Sequence, residues 1–188
     1  MMMEYCVDRY KIRFAKDTVS KILSLGNIKN AYDFGCGTGL YVQELINQGI
    51  ATTGFEISPG AKKAIRTAEK NIVWTNLERP LPSKFKPRDL VLTTEFLEHV
   101  SKAGGTLCCK EICELSLRWV VMTASPEKGA YHVNPQPRKY WIDAMTSSNT
   151  HEYRNDLSMD FINYFIKLIP SGLVWFKRDL MIFERTPK

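Results

Sequence analysis

The run Asp33-Phe34-Gly35-Cys36-Gly37-Thr38-Gly39 follows a β-rich stretch, Asn30 to Phe34, and opens into a stretch of helical periodicity, Leu40 to Gln48 closed by Gly49. Its three glycines allow a sharp turn and a close approach to a ligand that a Cβ would exclude. The helix that starts directly afterwards offers unpaired N–H groups at the same corner. Glu56 ends the next β-rich run, Ile50 to Phe55, where a carboxylate can accept hydrogen bonds from both hydroxyls of a ribose. A plain βα turn with a surface glutamate is the bland alternative to a nucleotide-type site.

Outward from this corner, β-rich runs alternate with amphipathic stretches. Towards the N-terminus, residues 8–25 predict a helix with Ile12, Ala15, Val19, Ile22, Leu23 and Leu25 on one face, stopped by Gly26-Asn27. Beyond Glu56, Pro59 starts a helix that continues over Ala61 to Lys70, and Asn71 to Thr75 is a third strand. Pro80, Pro82 and Pro87 make Leu77 to Arg88 a loop, and Asp89 to Thr94 is a strand apolar enough to be buried on both faces. Glu95 to Leu117 is helical with an interruption near Gly104-Gly105, and Trp119 to Ala124 is the fifth strand. After a proline-containing loop, Ser125 to Pro137, come a short helix over Arg138 to Met145 and an amphipathic stretch over Asp156 to Ile169. Leu173 to Phe176 and Leu180 to Glu184, hinged at Lys177 to Asp179, read as a terminal antiparallel hairpin. The expected fold is therefore α/β: a doubly wound seven-stranded sheet of five parallel strands plus a C-terminal antiparallel hairpin, with helices on both faces. One domain over residues 1–188 is expected, with ligands outside the carboxyl ends of the strands.

Composition agrees with one ordinary globular domain: 188 residues, 44% hydrophobic and 24% charged. No apolar run reaches the length of a membrane span and the start lacks a signal-peptide pattern, so a cytoplasmic protein is expected. Cys6, Cys36, Cys108, Cys109 and Cys113 lack paired metal spacing and read as free thiols packed as small hydrophobes. The net charge of +6 permits an anionic partner, but Lys62, Lys63, Arg66, Lys84, Lys86, Arg88, Lys177 and Arg178 are spread along the chain.

The Asp33 to Gly39 run is similar to the first motif of class I S-adenosylmethionine-dependent methyltransferases. The resemblance extends through Gly54-Phe55-Glu56-Ile57-Ser58, Asn76-Leu77 and Asp89 to Val100, and covers residues 30–125 in order. The glycines fall as GxGxG, away from the GxGxxG of hydride-transfer enzymes. The resemblance implies a Rossmann-like sheet with S-adenosyl-L-methionine lying across the strand ends. Asp33 and Gly35, Cys36, Gly37 and Gly39 would face its methionine portion, Glu56 the ribose, Ile57 the adenine face, and Asn76 with Leu77 the adenine edge. In-line attack at about 3 Å then makes much of the catalysis positioning.

Glu95, Glu98 and His99 fall at i, i+3 and i+4 and are expected on one face of a first helical turn. Two carboxylates and an imidazole suit a divalent cation such as Mg²⁺ or Mn²⁺, which would lower the pKa of an acceptor hydroxyl. The Glu-x-x-Glu-His pattern resembles that of metal-dependent O-methyltransferases of small-RNA 3′ ends and of quinone precursors. That resemblance implies a further histidine from beyond the fifth strand, for which His132 is the candidate. Leu-Glu-His-Val also occurs at this place in metal-free class I enzymes, where the acid and histidine cap the helix or touch cofactor. Without a metal, Glu98 or His132 is the candidate general base, so Glu98, His99 and His132 are the expected catalytic set.

Substrate recognition is assigned to residues 125–155, which depart from the common core. Tyr131, Asn134, Gln136, Arg138, Tyr140 and Trp141 offer amides, a charge and aromatic faces suited to a polyol. The stretch His132 to Ile142 also resembles a segment of small methyltransferases of surface-glycan synthesis. The expected activity is O-methylation of a sugar or glycan hydroxyl by a small-molecule or glycan acceptor site. Alternatives are RNA 2′-O-methylation, metal-independent transfer to a small molecule, and a domain that only binds partners.

Overall fold

The computed structural model describes residues 9–168 and 174–187. The elements run α1 (Arg9–Leu23), β1 (Asn30–Phe34), α2 (Leu40–Asn47), β2 (Ala51–Glu56), α3 (Pro59–Lys63), β3 (Ile72–Trp74), β4 (Arg88–Thr94), α4 (Lys102–Leu115), β5 (Ser116–Thr123), α5 (Arg138–Thr146), β6 (His151–Tyr153), α6 (Asn155–Leu168), α7 (Val174–Arg178) and β7 (Met181–Arg185). The strands follow the order β3-β2-β1-β4-β5-β7-β6 in one seven-stranded sheet. By internal contacts the chain divides into two compact units, one ending at Leu77 and one beginning at Glu78.

In the first unit β1 and β2 pair in parallel register, Asp33 opposite Gly54 and Phe34 opposite Phe55, and β2 pairs with β3, Glu56 opposite Trp74. Tyr32, Phe34 and Phe55 form a buried aromatic run with ring centroids 5.0–5.2 Å apart. The helix expected through Lys70 is much shorter. Ser58 caps α3, whose helical hydrogen bonding ends at Ala64, and before β3 the chain is helical again in a 3-10 turn over Glu69–Asn71. The reason is tertiary: Arg66 N–H donates to Thr38 O at 2.7 Å and Thr67 packs against Gly39, so this segment turns back onto the glycine corner.

In the second unit β4 pairs in parallel with β5, and Leu90, Val91 and Leu92 are buried, as a strand covered on both faces requires. The helical break expected at Gly104-Gly105 lies earlier. Leu97–His99 is a 3-10 turn and α4 begins at Lys102, where Ser101 Oγ accepts from Gly104 N–H at 3.1 Å. The two glycines sit inside α4 for close packing: a Cβ at Gly104 would come within 2.8 Å of Glu78, and one at Gly105 within 3.2 Å of Trp141.

The C-terminal antiparallel pair is present, but its strands differ from the expected hairpin. β7 pairs antiparallel with β5 and with β6, which lies within the segment read as substrate recognition. Of the expected strand Leu173 to Phe176, Leu173 lies outside the described residues and Val174 onwards is helical. Phe176 is buried against Phe165, ring centroids 5.1 Å apart, so its apolar character serves helix packing. Cys36, Cys108, Cys109 and Cys113 are free and buried; Cys6 lies outside the described residues. Among the described residues no helix is long and apolar enough to cross a membrane.

Candidate functional site: a glycine corner and an acid–imidazole cluster

At the carboxyl ends of β1 and β2, Gly35, Gly37 and Gly39 all adopt left-handed backbone, with φ of 68°, 54° and 76°. Gly35 and Cys36 N–H groups donate to Phe55 O. Glu56 then closes the corner. Its Oε2 accepts from Gly37 N–H at 2.8 Å, and its Oε1 accepts from Ile57 and Ser58 N–H at 2.8 and 2.7 Å. The expected ribose ligand is therefore also the clip that shapes the loop. Three bonds leave lone-pair capacity on the carboxylate for a further donor.

Asp33 is buried, and neither carboxylate oxygen has a hydrogen-bond partner. Burial, and secondarily the charge of Glu56, pushes its pKa well above the carboxylate range. A buried acceptor pair beside a glycine cradle suits the cationic cofactor S-adenosylmethionine, so these residues fit that group. Ile57 is 56% exposed, an apolar surface beside Glu56, whereas the Leu77 side chain is buried. The Cys36 thiol points inward, packed with Val42 and Ile72, so Cys36 contributes backbone to the corner.

In the second unit the chain leaves β4 through Glu95, at φ 50°, whose N–H donates to both Thr123 O and Oγ1 at 3.1 Å. The following turn places Glu98 inward, fully buried, with both carboxylate oxygens unpartnered. Asn134 N–H donates to Glu98 O at 3.0 Å and ties the loop after β5 to this turn. That loop delivers His132 to His99, ring centroids 4.8 Å apart and nearly perpendicular. His99 Nδ1 lies 3.1 Å from Tyr131 O, and His132 Nδ1 lies 2.7 Å from Glu127 O. Facing carbonyls, both Nδ1 atoms carry the proton, and Nε2 is the basic nitrogen of each ring.

One ligand atom each from Glu98, His99 and His132 falls within 4.8 Å of the others. The orphaned carboxylate and the two oriented imidazoles fit a divalent cation. Glu95 is not in that group. Its left-handed backbone stands before the 3-10 turn, so the single helical face expected for Glu95, Glu98 and His99 does not form. Burial raises the Glu95 carboxyl to about 8, with the Glu98 charge adding to the shift. Burial likewise raises Glu98 to about 7.

The expected substrate residues divide. Tyr131, at φ 68° and 39% exposed, and Gln136, half-buried, flank the cluster in sequence, and the Gln136 Nε2 donates to Asn134 Oδ1. Val133, 67% exposed, was not singled out in the sequence, although its place beside His132 could have flagged it. Arg138 and Trp141 serve the framework instead. The Arg138 guanidinium donates to Tyr153 Oη at 2.7 Å and Leu180 O at 2.6 Å, and Trp141 is fully buried on Gly105. Tyr140 packs edge-on against Trp141, with Lys102 5.9 Å above its ring. Asp179, buried and held by Arg178, and Glu127 also border the cluster, and no local motif marks any of them.

Residues 32–114 match the model of the methyltransferase domain family. Over 91 residues the chain is 33% identical to the demethylmenaquinone methyltransferase of Tropheryma whipplei (strain Twist), a match covering 47% of this chain and 38% of that protein. The chain thus spans well under half the length of this curated relative. A small RNA methyltransferase of known structure superposes with a TM-score of 0.66 at 14% identity, over 100% of this chain and 27% of that one. An amino pentose methyltransferase from Micromonospora echinaspora, involved in calicheamicin biosynthesis and solved with S-adenosylmethionine bound, gives 0.64 at 11% identity, over 99% of this chain and 100% of that one. Residues 32–114 are therefore similar to a methyltransferase domain, and the chain shares its fold with S-adenosylmethionine-dependent methyltransferases.

Proposed function

We propose that the chain is an S-adenosylmethionine-dependent O-methyltransferase, assisted by a divalent cation such as Mg²⁺ or Mn²⁺, with a sugar or glycan hydroxyl as acceptor. The observation that carries this reading is the convergence of Glu98, His99 and His132 within 4.8 Å around a buried carboxylate. S-adenosylmethionine supplies a methyl on a sulfonium: the acceptor oxygen forms the new C–O bond as the C–S bond breaks, and that electron pair stays on sulfur. A cation held by the three ligands supplies charge that lowers the pKa of the acceptor hydroxyl.

The chain's own residues bind, orient and move a proton. Glu56 holds the glycine corner in shape and keeps acceptor capacity for a ribose, while Asp33 offers two buried oxygens to a cationic group. Without the cation, the Glu98 carboxylate or Nε2 of His132 would take the hydroxyl proton. Tyr131 and Val133 offer apolar surface for the C–H face of a sugar ring, and the half-buried Gln136 amide, held by the buried Asn134, suits its hydroxyls. Dispersed positive charge supports a small acceptor over a nucleic acid.

Transfer of labelled methyl to a panel of nucleotide sugars, short glycans and RNA oligonucleotides tests the reading, with chelator-stripped protein and Mn²⁺ add-back in parallel. The expected result is transfer to a saccharide, lost on stripping and restored by the ion. Full activity after exhaustive stripping removes the cation from the mechanism. Transfer confined to RNA, with affinity falling steeply as salt rises, replaces the acceptor class.

A further inference from the structure

Arg178 ends α7, and in the sequence it reads as one of several scattered surface cations. Its guanidinium instead makes a two-pronged contact with its neighbour: Nε donates to Asp179 Oδ1 at 2.7 Å and Nη2 to Oδ2 at 2.8 Å. Asp179 is buried, so the fork sets the plane of the guanidinium. The remaining nitrogen, Nη1, donates to Glu127 Oε1 at 2.5 Å. Glu127 in turn offers its backbone carbonyl to His132 Nδ1 at 2.7 Å. The same residue therefore takes a fixed cation on its side chain and orients the imidazole with its main chain. Beneath that ring lies Gly129, where a Cβ would stand 3.1 Å from His132 Cε1.

We propose that Arg178 is a positioning residue for His132, acting through Glu127: it anchors the loop so that the Glu127 carbonyl holds the Nδ1–H tautomer and aims Nε2 at Glu98 and His99. The inference rests on the reading of His132 as a member of the cation-binding cluster. Glu127 and Arg178 are both exposed, so their ion pair adds little to global stability. Its effect is angular, because an imidazole whose outer nitrogen loses a fixed acceptor samples other orientations and the second tautomer.

Glu127→Ala is the cleanest test, since it leaves the Arg178–Asp179 fork intact. Mn²⁺ binding by calorimetry should weaken roughly 10-fold, with S-adenosylmethionine affinity and the thermal midpoint unchanged. Nitrogen NMR of the His132 ring should pass from one tautomer to a mixture. Arg178→Lys, which keeps a cation beside Asp179 without the fork, should give the same loss, and the double variant should lose no more than either single. Unchanged Mn²⁺ affinity and tautomer in both variants, with binding lost in His132→Ala, overturns the role of Arg178 and leaves the cluster standing. A thermal midpoint that falls in step with the affinity also overturns it, by showing a general structural effect. Normal Mn²⁺ binding by His132→Ala removes the cluster reading itself.

Discussion

Replacing Glu56 by glutamine tests whether one carboxylate both shapes the cofactor corner and binds in it. The isosteric amide can turn its oxygen towards Ile57 and Ser58 N–H, which then sets its NH₂ against Gly37 N–H, donor facing donor. One charge-assisted bond is lost and two are weakened. A bond to a charged partner contributes about 1.5–3 kcal/mol, and the part-buried position of Gly37 N–H lets water recover some of it, so about 2 kcal/mol is expected. For a chain of this size that lowers the thermal midpoint by about 4–8 °C in the absence of any ligand. Unfolding followed by circular dichroism without cofactor reads this directly, and calorimetry reads the separate loss of S-adenosylmethionine affinity. A ligand-free midpoint within about 1 °C of the parent would refute the clip, whatever happened to binding.

Two further predictions address the packing around the sites. Gly54→Ala places a Cβ 2.5 Å from Cys36 Sγ and 2.9 Å from both Ile72 Cδ1 and Val42 Cγ2. Overpacking of this kind costs about 1–3 kcal/mol; urea unfolding should show it, and adding Cys36→Ala should recover part, so undiminished stability in Gly54→Ala contradicts the close approach. His151 is buried, and burial, with Arg185 nearby, lowers its pKa from the ordinary 6.5 to about 4. Between those values the unfolded chain binds the proton and the folded chain does not, so stability falls as pH drops from 6.5 towards 4. The loss attributable to this ring is about 2–3 kcal/mol by pH 4.5. His151→Asn should be flatter than the parent across that window, and an identical pH dependence in the two would dismiss the effect.

The amino-acid order alone determined those parts of the molecule that depend on local rules. Glycines in Asp33 to Gly39 need left-handed backbone, and all three adopt it. The apolar run at Leu90 to Leu92 needs burial on both faces, and β4 has it. Glu98 and His99 were singled out by residue type and spacing and His132 by resemblance, and the fold brings one ligand atom of each within 4.8 Å of the others. Tertiary contacts decided the rest. Thr67 against Gly39 outweighed the helix propensity of residues 64–68, and Glu78 and Trp141 against α4 turned a glycine pair from a breaker into a packing surface. Arg138 became framework because β6 fell beside β7 and gave it Tyr153, and Trp141 because it packs on Gly105 of α4. Arg178, Asp179 and Glu127 met through a fold that brings α7 to the loop after β5, a proximity no spacing along the chain encodes. Turns and buried strands are set by backbone sterics and hydrophobicity acting within a few residues, whereas the partner of a charge or the exposure of a ring is set by whichever distant segment the packed core leaves beside it.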